Sequence, residues 1–436
     1  MPWIKIRKQA RHYVWGSVAS IRVLLKWLAI AGGIGGIVGS VAALFSHTLI
    51  GVNNLRAAYP VITWGLPVGG LLIVFLYRLF KDTSNQGTDM IISSIQSSTN
   101  IPFSMAPLIF ITTTITHLFG GSAGREGAAL QLGGSIANRL GKAMKLNEND
   151  QYIIIMCGMS AGFSALFGTP LTATVFALEV TSVGMMHYSA LIPCVTASMI
   201  AHFTAVLWRV PPESFYVAAV PAMETVMFFK IVGFAVMLGG VSILFCILMY
   251  AAEHLYAHFL KNRYVRIFIA GCLILGLTVL LGTTQYLGSG MGIIEQIFHH
   301  GDTAGYSVFL LKMVFTALTL GAGFKGGEIV PSLTIGAAFG SAAAALLGLP
   351  MELAAACGMI GVFCGVTNSP IASLLLAFEL CGFEGMPYFL TTVAVSYMLS
   401  GYCGLYHKQK ILYSKTEMTF YNAEHPEEKN EARSGG

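Results

Sequence analysis

Apolar residues in this chain come in long blocks, with little of the spacing that marks a half-buried helix or strand. Trp27–Gly51, Val61–Tyr77, Leu191–Trp208, Phe228–Tyr250 and Ile267–Gly282 are mostly apolar, at lengths near the roughly 20 residues a membrane-crossing helix needs. Helices that are apolar all round are covered by lipid or by one another. Other apolar stretches are short or interrupted by glycine, such as "VITWGLPVGGLLIVFLY" from Val61 and "IVPSLTIGAAFG" from Ile329. The chain holds 49 glycines, and in a membrane glycine permits close helix packing or helices that break within the bilayer. The pattern predicts an all-α, polytopic membrane protein with tilted and discontinuous helices.

Composition agrees. Only 10% of residues are charged and 55% are hydrophobic, with a mean hydropathy of +0.71, whereas soluble chains are about 25% charged. That excludes an ordinary soluble domain. Residues 1–29 carry Lys5, Arg7, Lys8 and Arg11 ahead of the first apolar block, which places the N-terminus in the cytoplasm under the positive-inside rule. The apolar run continues well past a signal-peptide core, with no small-residue cleavage site to end it. The formal charge of +5 therefore speaks of topology and anionic lipid, not of nucleic acid. Eight cysteines fall singly in apolar tracts without a CxxC pair, which points to packing. The histidines show no ligand spacing, and neither a metal nor a cofactor is expected.

The chain also repeats itself. "CGMSAGFSALFGTPLTATVFALEV" begins at Cys157 and "CGMIGVFCGVTNSPIASLLLAFEL" at Cys357, 200 positions later and without a gap. Phe163/Phe363, Pro170/Pro370, Ala177/Ala377 and Glu179/Glu379 coincide. "GTDM" at Gly87 answers "GSGM" at Gly288, and "ALQLGG" near Ala129 answers "SLTIGA" near Ser332. Two half-repeats follow, 30–210 and 225–405, with 406–436 as a cytoplasmic C-terminal segment. Membrane proteins built this way place a substrate site near the midplane, between discontinuous helices. Helix N-termini there offer free N–H groups and partial positive charge, an arrangement suited to anions.

At these residues the chain resembles the CLC family of anion channels and anion/proton exchangers. "GREGAALQLGG" from Gly124 resembles the family's GREGP motif, and "GGEIVP" from Gly326 its GxFxP segment. "GTDMI" from Gly87 stands in place of GSGIP, and "ILYSK" carries Tyr413 where the family has its late pore tyrosine. The resemblance spans about 30–415. It implies an inverted-repeat fold, a homodimer with one pore per subunit, and a multi-pass protein of the plasma membrane with both termini cytoplasmic. It also implies that Glu126 is a gating glutamate that swings aside when protonated or displaced, with Gly124 and Gly127 leaving it room. Gly87, Thr88, Arg125, Gly127, Ile329, Val330 and Tyr413 are the matching anion-binding positions. The plainer alternative is that Arg125 and Glu126 cap a water-exposed helix end.

The departures from the family pattern are informative. The GSGIP serine and proline are gone, and Asp89 would repel an anion unless it points away or caps a helix. Glu328 follows paired glycines, with Lys325 placed for a local i,i+3 pair. Both features resemble the fluoride-exporting branch of the family. Val180 stands where chloride/proton exchangers carry an internal glutamate, and Glu179, recurring as Glu379, reads as a helix-end residue. About twenty residues follow Tyr413, too few for the regulatory nucleotide-binding domains of many eukaryotic members. The expected function is proton-coupled fluoride export, with a chloride channel or transporter as the alternative. The partners are then a halide, protons, lipid and a second copy. "GMSAG" at Gly158 matches a G-x-S-x-G nucleophile, but that pattern needs a strand–turn–helix setting, and its repeat "GMIGV" lacks the serine. No enzyme is expected.

Overall fold

The computed structural model describes residues 2–80, 87–97, 101–301, 303–417 and 419–420. Sixteen α-helices are found among them. The first half contains α1 (Pro2–Ala58), α2 (Leu66–Leu79), α3 (Thr88–Ser97), α4 (Met105–Leu118), α5 (Glu126–Ala143), α6 (Glu148–Phe167), α7 (Pro170–Glu179) and α8 (Leu191–Leu207). The second contains α9 (Thr225–Phe259), α10 (Arg263–Leu281), α11 (Met291–Glu295), α12 (Tyr306–Ala322), α13 (Ile329–Leu347), α14 (Met351–Thr367), α15 (Pro370–Cys381) and α16 (Met386–Leu399). Two short strands, β1 (Ser182–Val183) and β2 (Lys410–Ile411), pair in parallel. The basic residues Lys5–Arg11 fall in the opening turns of α1, whose side chains lie outside the description, and 421–436 lies outside the described residues altogether.

Among the described residues, seven helices are long and apolar enough to cross a membrane. Others are apolar but shorter: α4 and α16 have 14 residues each. At 1.5 Å per residue such a helix falls short of the ~30 Å hydrocarbon layer. Its ends therefore lie at membrane depth, where backbone groups must find partners within the protein. The glycine-interrupted segments supply these ends.

The two halves repeat at the level of contacts. Where α5 crosses α6, a Cβ added at Gly133 would lie 2.0 Å from the Gly158 carbonyl oxygen. Where α13 crosses α14, one added at Gly336 would lie 2.2 Å from that of Gly358. Only glycine permits either approach. Glu179, at the end of α7, accepts the N–H groups of Ile371 (3.1 Å) and Ala372 (2.9 Å) at the start of α15. Glu379, on α15, accepts those of Leu171 (2.9 Å) and Thr172 (2.8 Å) at the start of α7. Each half thus satisfies the orphan donors of a helix in the other, as two-fold related halves do. Glu179 and Glu379 are helix-end residues by this geometry. Ser160 of "GMSAG" lies buried in mid-α6 and donates to the Cys194 carbonyl at 2.9 Å. Its glycines belong to the same packing seam, so the motif lacks the strand–turn–helix setting of a nucleophile.

Candidate anion site

Two loops cross at the centre of the molecule. Residues 120–125 lead into α5 and 323–328 into α13. They meet as an antiparallel bridge, with the Gly124 N–H donating to the Gly327 carbonyl at 2.6 Å and the Gly327 N–H to the Gly124 carbonyl at 2.8 Å. Gly120 and Gly323 turn the chain into these loops at φ +85° and +108°, the left-handed region that glycine adopts without penalty. A Cβ on Gly327 would lie 2.5 Å from the Gly127 nitrogen, so a side chain there would force the loops apart. The crossing brings the N-termini of α5 and α13 together. The side chains of Ile329 and Val330, first in α13, are buried, leaving their backbone N–H groups as the polar feature of that end.

Thr88, the first residue of α3, completes the cluster. A Cβ on Gly127 would stand 3.6 Å from both the Thr88 hydroxyl and a carboxylate oxygen of Glu328. The Gln131 amide, on α5, donates to the Thr88 hydroxyl at 3.2 Å. Asp89, next in α3, accepts the Lys408 N–H at 3.2 Å and lines the same cavity as Thr88 and Glu328.

Glu126 opens α5 and is fully buried. Its Oε2 accepts the Arg125 backbone N–H at 3.0 Å and its Oε1 accepts Arg125 Nε at 3.2 Å. Arg125 also donates through Nη2 to Glu213 at 2.5 Å. The carboxylate is folded back over its own helix N-terminus, where an anion binds most favourably. A Cβ on Gly124 would lie 2.9 Å from Glu126 Oε2, so the preceding glycine is needed for this fold-back.

A cavity of about 340 Å³ adjoins the cluster, lined among others by Gly87, Thr88, Gln131, Glu328 and Tyr406. The Tyr406 hydroxyl faces Glu328 without meeting the geometry of a regular hydrogen bond, and has no other hydrogen-bond partner. A buried donor without a partner is rare enough to need a reason. Here it faces a carboxylate on a cavity that also holds a threonine hydroxyl.

Tyr413 stands apart from this cavity. It was expected among the anion-binding residues, but it lies in a different pocket, lined by Glu179, Ser182, Gly184 and Tyr397. It is 37% exposed, with its ring 4.5 Å from that of Phe420. The chain leaves α16 at Leu399 and turns at Gly401, where φ is +59°. It then buries Tyr406 before β2 carries it to the surface near β1. Tyr406 is the late tyrosine that reaches the cavity.

Lys312 braces the site from α12. This residue of α12 is fully buried and donates to the Ser122 hydroxyl (2.9 Å) and to the carbonyls of Tyr286 (3.2 Å) and Gly288 (2.7 Å). It ties the loop before Glu126 to the turn that answers Gly87 in the second half. A lysine within an apolar run gives no sequence signal of where its ammonium lands.

Related membrane halves that bring two helix N-termini and a folded-back carboxylate together beside a cavity holding hydroxyl groups define a transporter or channel for small anions. The chain belongs to the voltage gated chloride channel family, whose profile matches residues 68–401. It is 37% identical over 403 residues to the "Chloride/fluoride channel protein" of Pseudomonas syringae pv. tomato, covering 90% of this chain and 88% of the relative. It is 26% identical over 274 residues to an "H(+)/Cl(-) exchange transporter ClcA" of Vibrio cholerae, covering 59% of this chain and 58% of that protein. Among solved structures, a CLC-type fluoride/proton antiporter superposes with a TM-score of 0.86 at 34% identity, over 89% of this chain and 98% of that one. A slow cyanobacterial Cl-/H+ antiporter shares the fold, with a TM-score of 0.73 at 18% identity over 86% and 94% of the two chains.

Proposed function

We infer that the protein exchanges fluoride for protons across the membrane, with Glu126 as the moving gate. The observation that carries this reading is the second carboxylate. Glu328 stands 3.6 Å from where a Cβ on Gly127 would be and close enough to Glu126 for their charges to interact. Two carboxylates and a halide at one place repel one another, and a proton on either carboxylate relieves that repulsion. Anion and proton occupancy are then linked at a single site. Fluoride is the smaller and more strongly hydrated halide, so a site must replace its water with close donors. The Thr88 and Tyr406 hydroxyls and the backbone N–H groups opening α5 and α13 supply them. Gly87, Gly127, Ile329 and Val330 serve through their backbone, and Arg125 through its hold on Glu126. The resemblance to a fluoride/proton antiporter supports the same reading. The working unit is a homodimer with both termini cytoplasmic, and an inward proton gradient drives fluoride out.

The name of the 37% identical relative, a chloride/fluoride channel, favours a second reading in which either halide passes without protons. Purified protein in liposomes, assayed with fluoride and chloride electrodes side by side, separates the two. The exchanger moves fluoride far faster than chloride; comparable rates for both favour the channel.

A further inference from the structure

The cavity that holds Thr88, Glu328 and Tyr406 is also lined by Tyr250, Glu253 and His407. These three line an adjoining, more open hollow as well. They therefore stand where the two spaces meet, at the mouth of the candidate anion site. His407 Nε2 lies 3.7 Å from Glu253 Oε2, with side chains 50% and 61% exposed. The histidine is held in place: its ring centre is 4.7 Å from that of Tyr250, the Tyr250 hydroxyl donates to the Gly404 carbonyl, and Asp89 holds the Lys408 N–H.

A carboxylate at the mouth of an anion cavity repels the ion the cavity is built to take. Its partner decides how strongly. Imidazole is the side chain that changes charge between about pH 5 and 8. Protonated, it makes the Glu253–His407 pair neutral; neutral, it leaves one net negative charge in the path. We propose that Glu253 and His407 form a proton-operated latch that sets how readily a halide enters the cavity from this side. The proposal rests on the anion-exchange reading and adds a second place where proton and halide occupancy are linked.

Other charged groups face the pair. Arg266 on α10 is near enough to Glu253 for their charges to interact, and Asp89 on α3 is near His407. Lys325 and Glu328 line the cavity behind the pair, and His254 of α9 lines the outer hollow. None of them is paired with Glu253 across the mouth as His407 is, so removing the His407 imidazole isolates the latch.

The test is the KM for fluoride of the full-length chain in liposomes, with leak from protein-free vesicles subtracted, at pH 6 and pH 8. A unit charge about 4 Å from an ion across water changes its occupancy about fivefold, which bounds the effect of a charge at the mouth. His407→Gln fixes the unprotonated charge state, so its KM should be up to about fivefold above wild type at pH 6 and equal to it at pH 8. Glu253→Gln removes the negative charge and should lower KM up to about fivefold at both. Both side chains are largely exposed, and the maximal rate should hold in each variant; a purely structural defect would lower that rate at every pH. Wild-type vesicles that move no fluoride overturn the exchange reading itself. Fluoride–proton exchange in which His407→Gln matches wild type at pH 6 overturns the latch alone.

Discussion

Replacing Tyr406 with Phe separates the two tyrosines that compete for the anion. The change keeps the ring and removes one hydroxyl that is buried and has no regular hydrogen-bond partner. Folding loses only the irregular contact with Glu328, so stability should change by about 1 kcal/mol or less. Binding loses a donor to a charged ion, a loss of about 1.5–3 kcal/mol. At about 1.4 kcal/mol per factor of ten, fluoride affinity should fall roughly 10- to 150-fold. Tyr413→Phe, at a ring packed at a tilt against Phe420 in another pocket, should leave affinity within about twofold. Calorimetric titration of fluoride into detergent-solubilised protein reads the affinities, and thermal unfolding of the same samples reads the stability. A Tyr406→Phe protein with wild-type affinity beside a weakened Tyr413→Phe protein would refute the assignment and return Tyr413 to the site.

Glu126→Gln keeps the size of the gate and removes its charge; passive fluoride flux should persist or rise while its pH dependence and proton coupling disappear, read with paired fluoride and pH electrodes. Lys312→Met leaves the Tyr286 and Gly288 carbonyls without their donor, and unfolding in detergent should show a loss of about 1–3 kcal/mol for each orphaned group. Glu179→Ala strips the cap from the start of α15 and should cost about 1–2 kcal/mol while leaving the proton-to-fluoride ratio at its wild-type value; a changed ratio would give Glu179 a place in the proton path.

What the sequence made legible depended on backbone. The gates of close approach (Gly124, Gly127, Gly133 and their counterparts Gly327 and Gly336) must be glycine, because a Cβ at any of them would lie within about 3.2 Å of another backbone or side-chain atom. Motifs built on such positions can be read directly, and with them the repeat, the paired helix N-termini and Glu126. The caps at Glu179 and Glu379 followed from the same symmetry. Side chains whose target depends on the path of a loop were not legible. Tyr406 and Tyr413 stand seven positions apart, and only the turn at Gly401 and the pairing of β2 with β1 decide which is buried. Glu213, which holds Arg125 at 2.5 Å, lies in the irregular stretch between α8 and α9, where no periodicity indicates its destination. Lys312 makes contacts with two loops far away in sequence.

Proton coupling is the central claim, and the most direct test lets fluoride do work on protons. Liposomes containing the purified chain are loaded with fluoride, placed in fluoride-free buffer at equal pH, and clamped at zero potential with potassium and valinomycin. As fluoride runs out, an exchanger pulls protons in against no initial gradient, so the outside medium turns alkaline in fixed ratio to the fluoride released, and Glu126→Gln abolishes the proton signal. Fluoride leaving the wild-type vesicles with no change in external pH would contradict the account.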